Sequence, residues 1–223
     1  MNIIIKLLSN IVHYCHYRGF DHLLSFLNNR WYKNHLGYCG KNVYLGRPLH
    51  CFCPQKIFLY DNANINPFAS FIINPKGSKG NFIMKKNSGA ANGLTVITGN
   101  HQRDLGTFFK DNSSRHDLDI DKDIVVEEDV WIGANVTILS GVNVGRGSTI
   151  GAGSVCLKNV PPYAIVMGNP AKVVGFNYTP EEIVKHEKEL YPKDEQLSID
   201  LLQKNYEKYF INRITDIKQF NKL

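Results

Sequence analysis

Between Val126 and Pro161 the chain repeats itself every six residues, as VEEDVW, IGANVT, ILSGVN, VGRGST, IGAGSV and CLKNVP. The first places hold Val126, Ile132, Ile138, Val144, Ile150 and Cys156, all apolar. The fifth hold Val130, Val136, Val142, Ser148, Ser154 and Val160, all small or β-branched. An ordinary sandwich strand would alternate with a period of two, so these residues exclude it. A chain that turns at every repeat closes a triangular coil of about 18 residues, and successive coils stack at the ~4.8 Å spacing of paired strands. First-place side chains then fill a narrow prism, and small fifth-place residues fit beside them. Residues such as Gly133, Asn135 and Gly153 suit the corners, where a positive φ or a close approach of two backbones is needed.

Upstream the pattern is worn but present. Leu59, Ile65 and Phe71 recur at six, with Ala63 and Ala69 in the fifth places; Met84, Ala90 and Val96 recur in turn, with Ser88 and Leu94. The phase slips by one residue between the sets, around the turn PKGSKGN (Pro75 to Asn81), read as a small protrusion. A weaker start lies in GYCGKNVYLGRP, residues 37–48. After Val96 a polar stretch, His101 to Asp123, lacks the repeat and precedes its clean resumption. A long loop thrown out from a regular scaffold points to function. The expected organisation is an N-terminal helical segment over 1–36, a repeat domain over 37–176 with its loop at 102–123, and a helical extension over 177–223. In that extension Thr179, Pro180 and Glu182 make an N-cap, a first-turn proline and a capping-box glutamate. A second helix is expected over about 198–210, with Leu201, Leu202, Tyr206, Tyr209 and Phe210 as its apolar stripe.

Composition narrows the function classes. With 223 residues, 43% of them hydrophobic, the chain can bury a core. A formal charge of +6 and a pI near 9.0 admit a nucleic acid, an acidic membrane surface or a small polyanion as partner. No helix-turn-helix, zinc knuckle or aromatic-basic platform supports nucleic acid, so none is expected. The five cysteines are odd in number and scattered, which points to reduced, mostly buried thiols in a cytoplasmic protein. His50, Cys51 and Cys53 read as a strand rather than a metal site, because no second ligand pair lies near. The N-terminal Ile4, Leu7, Leu8, Ile11 and Tyr14 share one helical face, but Lys6, His13, His16 and Arg18 interrupt the stretch short of a membrane span. An amphipathic helix is expected, docking on the body or a neighbouring subunit; peripheral contact with the inner face of a membrane stays open.

The run VITGNH, the polar loop, and DVWIGANVTILSGVNVGRGSTIGAGSVCLKNVPPYAIVMGNPAKVV resemble the hexapeptide-repeat acyltransferases, especially the galactoside and maltose O-acetyltransferase branch and its relatives in capsule, O-antigen and exopolysaccharide synthesis. The resemblance covers roughly 57–175. It implies an all-β core, a left-handed parallel β-helix with an extruded loop and α-helices at both ends. It also implies a homotrimer with active sites between subunits, acetyl-CoA as co-substrate, a saccharide acceptor and no metal in catalysis. His101 stands where the family has its catalytic histidine, and an imidazole titrating near neutrality suits deprotonation of a sugar hydroxyl as it attacks a thioester. Asn66 falls where the sugar acetyltransferases hold the acceptor and the tetrahedral intermediate. Trp131 should point outward, over the pantetheine arm or the acceptor. Ala134 and Ala152 match positions whose backbone pairs with the pantetheine amides; Lys158 and Lys172 match contacts to the cofactor phosphates, although Gly175 stands where relatives often carry another Arg. Cys156, a first-place residue, reads as core, and His116 as surface or substrate-adjacent.

Three other readings fit the same scaffold. An amino-sugar N-acetyltransferase or an antibiotic acetyltransferase would differ only in the acceptor loops. A hydratase of the carbonic-anhydrase type needs three zinc histidines, and the repeat-bearing region has only His101 and His116. A non-catalytic trimeric scaffold would have no use for His101.

Overall fold

The computed structural model describes residues 2–14, 30–75, 79–99, 101, 103–112 and 121–213. His116, most of the expected loop end and residues 76–78 of the protrusion lie outside the described residues. Seventeen short strands among these residues build a three-faced, left-handed parallel β-helix. Face one stacks β1 (Tyr38–Cys39), β4 (Ile57–Leu59), β7 (Phe82–Met84), β10 (Ile124–Val126) and β13 (Asn143–Val144). Face two stacks β2 (Tyr44–Leu45), β5 (Asn64–Ile65), β8 (Gly89–Ala90), β11 (Trp131–Ile132), β14 (Thr149–Ile150) and β16 (Ala164–Met167), closed by the antiparallel β17 (Lys172–Phe176). Face three stacks β3 (Leu49–Cys51), β6 (Ala69–Ile72), β9 (Thr95–Ile97), β12 (Thr137–Leu139) and β15 (Val155–Cys156).

The core is the repeat made solid. Every first-place and fifth-place residue of the clean repeat is buried, and so is every upstream residue that the worn pattern picks out, from Leu59 to Val96. Registers measure each coil: Phe58 pairs with Tyr38, Ile83 with Phe58, Val125 with Ile83 and Asn143 with Val125, offsets of 20, 25, 42 and 18 residues. Against an 18-residue coil the first three carry two, seven and 24 extra residues. All of the excess falls at one corner, between faces three and one: the 3₁₀ turn Pro54–Lys56, the 74–81 protrusion, and the loop that opens after Ile97. The seven-residue excess is one repeat plus one, which is the phase slip seen in the sequence.

Two other corners are kept uniform by left-handed residues. Between faces one and two, Asn42, Asn62, Asn87, Asp129, Gly147 and Tyr163 all have φ between +54° and +64°. Their side chains form a short ladder where they are asparagine, Asn42 Nδ2 donating to Asn62 Oδ1 at 3.2 Å and Asn62 Nδ2 to Asn87 Oδ1 at 2.8 Å. Asn tolerates αL because its short amide bonds locally; a bulky residue there is an outlier. Tyr163 is that outlier, and its environment explains it. The ring is fully buried, and its hydroxyl donates to Glu187 Oε1 at 3.0 Å.

Glu187 belongs to the extension. α2 (Pro180–Leu190) starts at Thr179 with both halves of the expected capping box formed. α3 (Ile199–Tyr206) is capped by Ser198 and passes into a π-helical turn, Glu207–Ile211. The expected stripe is only partly buried, with Leu202 inside and Leu201 exposed. Tyr163, Ile183 and Leu202 make a small core separate from the prism interior. At the other end α1 (Asn2–Tyr14) forms, and Leu7, Leu8 and Ile11 of its expected apolar face are exposed, so these three do not dock on the described residues of the chain's own body. No helix among the described residues is long and apolar enough to cross a membrane.

Candidate functional site

His101 lies four residues past the end of β9, at the root of the great insertion, and is exposed. Its ring meets Phe109 edge to face, centroids 5.5 Å apart, and Phe109 opens a helical turn, Phe109–Asn112, inside the loop. The Arg103 guanidinium lies 5.1 Å from the same phenyl ring. The returning leg of the loop is tied down firmly. Asn74 Nδ2 donates to the buried Asp121 at 2.7 Å, and the backbone N–H groups of Gly80 and Asn81 donate to Asp123 Oδ1 at 3.0 and 2.7 Å. The Lys122 N–H donates to Ser140 Oγ at 2.9 Å. Asp121 and Asp123 thus staple the loop to the protrusion above, while Lys122 holds the coil below. By residue type these carboxylates are no more than loop polarity; their position just before the resumed repeat is the one signal the sequence carries.

Asn66, Ala134 and Ala152 lie along a different edge, between faces two and three, and Trp131 lies on the face that leads to it. Trp131, on face two, points outward at 51% exposure and spans Gly89 of the preceding coil, where an added Cβ would sit 3.4 Å from the indole. Asn66, half-buried, starts the corner between faces two and three. Ala134 and Ala152 occupy that corner one coil apart. Gly133 and Ala152 touch so closely that a Cβ on Gly133 would lie 2.6 Å from the Ala152 nitrogen. The Ala134 carbonyl accepts from Gly153 N–H at 2.8 Å. The Ala152 N–H and C=O have no hydrogen-bond partner among the described residues, and Ala152 is exposed. An open amide pair on an exposed corner with small side chains can take an extended chain of amides. Lower down, Lys158 and Lys172 converge on one cavity of about 230 Å³ at the end of the prism, with Ala171, Val173 and Tyr209 in its wall. Neither ammonium group has an ion-pair partner among the described residues.

One chain therefore unites Lys158 with Lys172 and stacks Ala134 over Ala152. It does not bring His101, on the corner between faces three and one, to Trp131 on face two or to Asn66 on the corner between faces two and three. Two further features set limits. Burial pushes the Cys156 thiol up to about 11, so at neutral pH this core residue is a poor nucleophile. Cys53 turns its buried thiol to the Ile73 carbonyl while His50 stacks edge-on against Phe52, and no cluster of three metal-ligating side chains occurs among the described residues.

The bacterial transferase hexapeptide model, of six repeats, matches residues 123–158. No curated protein matches by sequence. Among solved structures the chain is similar to a hexapeptide-repeat-containing acetyltransferase from Vibrio cholerae O1 biovar eltor complexed with acetyl coenzyme A. The identity is 25%, over 69% of this chain and 78% of that one, with a TM-score of 0.60. It is also similar to a maltose O-acetyltransferase from Clostridium difficile 630, at 24% identity over 65% and 72% of the two chains and a TM-score of 0.55. A galactoside acetyltransferase in complex with coenzyme A shares 21% identity over 76% of each chain, with a TM-score of 0.56. The last two likenesses carry the fold alone. Residues 123–158 thus match the bacterial transferase hexapeptide repeat, and the chain takes the fold of the hexapeptide-repeat acetyltransferases, those of maltose and galactoside among them.

Proposed function

We propose that this protein transfers an acetyl group from acetyl-CoA to a saccharide hydroxyl, in the synthesis of a cell-surface polysaccharide, as a cytoplasmic homotrimer with active sites between subunits. The observation that carries the reading is the separation of edges. His101 opens an inserted loop on one corner, while the outward Trp131, Asn66 and the open amides of Ala152 lie toward another. Parallel prisms meeting side by side would bring such edges together.

Acetyl-CoA supplies the acyl group as an activated thioester. In this reading Ala134 and Ala152 pair with its pantetheine amides, Trp131 covers the arm, and Lys158 and Lys172 meet its phosphates. His101 accepts the proton of the acceptor hydroxyl as the oxygen attacks, then returns it to the departing sulfur. Asn66 donates to the oxygen on which negative charge develops. No covalent enzyme intermediate is needed.

The test is release of free thiol from acetyl-CoA against a panel of sugars, amino sugars, nucleotide-sugars and lipid-linked sugars. Wild type should turn over one class, and His101→Ala should lose roughly 10²–10⁴-fold in kcat. Turnover that survives the substitution overturns the mechanism. Preference for an amine replaces the O-acetyl reading with an N-acetyl one.

A further inference from the structure

Two lysines at the end of the prism would attract any polyanion. A nucleotide needs, besides cations, a flat apolar surface for its base. The C-terminal extension, which lies beyond the repeat, supplies one. Tyr209 lines the same cavity as Lys158 and Lys172. It also lines a second cavity, of about 380 Å³, whose wall includes Asn143, Asn159 and Asn205. Asn159 and Val160 border both spaces, so the tyrosine stands between a chamber lined by lysines and one lined by asparagines together with Glu127 and Arg146.

The placement is built rather than incidental. Tyr209 is half-buried in the middle of the π-helical turn Glu207–Ile211, a geometry that recurs at functional sites. The turn is fastened to the strand that carries Lys172. Tyr206 packs on Phe176 with centroids 5.3 Å apart, Phe210 packs on Tyr206 at 5.1 Å, and the Arg213 guanidinium donates to the Val173 carbonyl. Lys208 Nζ sits 4.9 Å from the Tyr209 ring centroid, adding a third cation beside the aromatic face.

We propose that Tyr209 is the stacking surface for the adenine of coenzyme A, with Lys158 and Lys172 holding the phosphates on one side of it and the asparagine side chains facing the base edge on the other. An asparagine amide can accept from the exocyclic amine and donate to the ring nitrogen of adenine, a pairing no phosphate-only site provides. The inference rests on the acyl-coenzyme A reading above and adds to it that the extension takes part in cofactor recognition.

The experiment is calorimetric titration of the full-length protein with coenzyme A and with 4′-phosphopantetheine, which keeps the arm and one phosphate but lacks adenosine. Tyr209→Ala should weaken coenzyme A binding about tenfold, within the range of base stacking on an aromatic. It should leave 4′-phosphopantetheine unchanged, and Tyr209→Phe should bind both like wild type. Unchanged coenzyme A affinity in Tyr209→Ala refutes the assignment, and so does an equal loss for both ligands, which would mark a merely structural tyrosine. Wild-type protein that binds no coenzyme A overturns the acyl-coenzyme A reading itself.

Discussion

Replacing Glu187 by Gln should loosen the extension while leaving the prism intact. The Glu187 carboxylate is 1% exposed and accepts from the Tyr163 hydroxyl at 3.0 Å, from the Leu197 N–H, and from Arg146 Nη1 at 3.3 and 3.5 Å. Gln keeps the volume but leaves one acceptor oxygen where two served. The Tyr163 hydroxyl can turn and accept from the new amide; Leu197 and Arg146 cannot. Hydrogen bonds to a charged group are worth about 1.5–3 kcal/mol against about 1 for neutral ones. Arg146 itself is partly compensated, donating to the Glu195 carbonyl at 2.9 Å and lying 3.9 Å from the Tyr191 ring centroid, so the full cost of a stranded buried charge does not apply. Weakening two charged bonds then costs about 3 kcal/mol. Because Tyr163, Ile183 and Leu202 form a core apart from the main one, the loss should appear as local undocking. In native-state hydrogen exchange, amides of α2 should exchange roughly a hundredfold faster, while those of β11 and β12 keep their protection. Uniform loss of protection across prism and extension would refute the local latch. An unchanged α2 would show that the carboxylate contributes nothing.

Ile138, fully buried in the prism, should cost about 3–4 kcal/mol on truncation to Ala, read as a shift of the urea midpoint with unchanged m. Gly133→Ala should cost about 1–3 kcal/mol, because the new Cβ would press on the Ala152 nitrogen at 2.6 Å and the Ile150 oxygen at 2.9 Å; unaltered stability would mean that the corner yields freely. The Cys156 thiol, held up at about 11 by burial, should resist alkylation at pH 8 in the native protein and react once urea unfolds it. A folded pKa above the unfolded 9.0 means that this group's stabilisation is complete below pH 9 and is lost as pH rises toward 11. Cys156→Val should therefore flatten the alkaline loss of stability, and an identical pH profile would argue against a buried thiol.

The repeat made the interior legible because a prism has room for only certain side chains. A residue such as Ile132 or Val136 announces its burial by type and spacing alone. The capping box at Thr179 was equally local and equally readable. What the spacing did not display was which edge each element occupies, since that depends on adding insertions of unequal length over whole coils. The register offsets resolve it, placing His101 on one edge and Asn66, Ala134 and Ala152 on another. Residues that break the corner rule were also hidden. Phe68, at φ +67°, and Tyr163, at φ +59°, are poor choices for αL by intrinsic preference, and for Tyr163 the reason lies in a helix that begins 17 residues later. The π-helical turn that sets Tyr209 likewise follows from packing on β17 and not from the helical period.

A prism of stacked coils has three edges, and this chain gives each a separate task. The edge between faces one and two carries Asn42, Asn62 and Asn87 in a ladder and then Tyr163, which grips Glu187; it is where the extension docks. The edge between faces three and one takes every insertion, since a corner can lengthen without breaking the hydrogen bonds of either adjoining sheet. The remaining edge stays regular and close-packed, its Gly133 and Ala152 in contact and the Ala152 amide open. Under the proposed function this division has a mechanical consequence. A general base must move with a loop that can fit an acceptor, whereas a thioester must be held on a rigid track. One coil cannot be both at the same corner. Setting the loop on one edge and the track on another satisfies both demands, and the assembly of like chains, edge against edge, is then what completes the site.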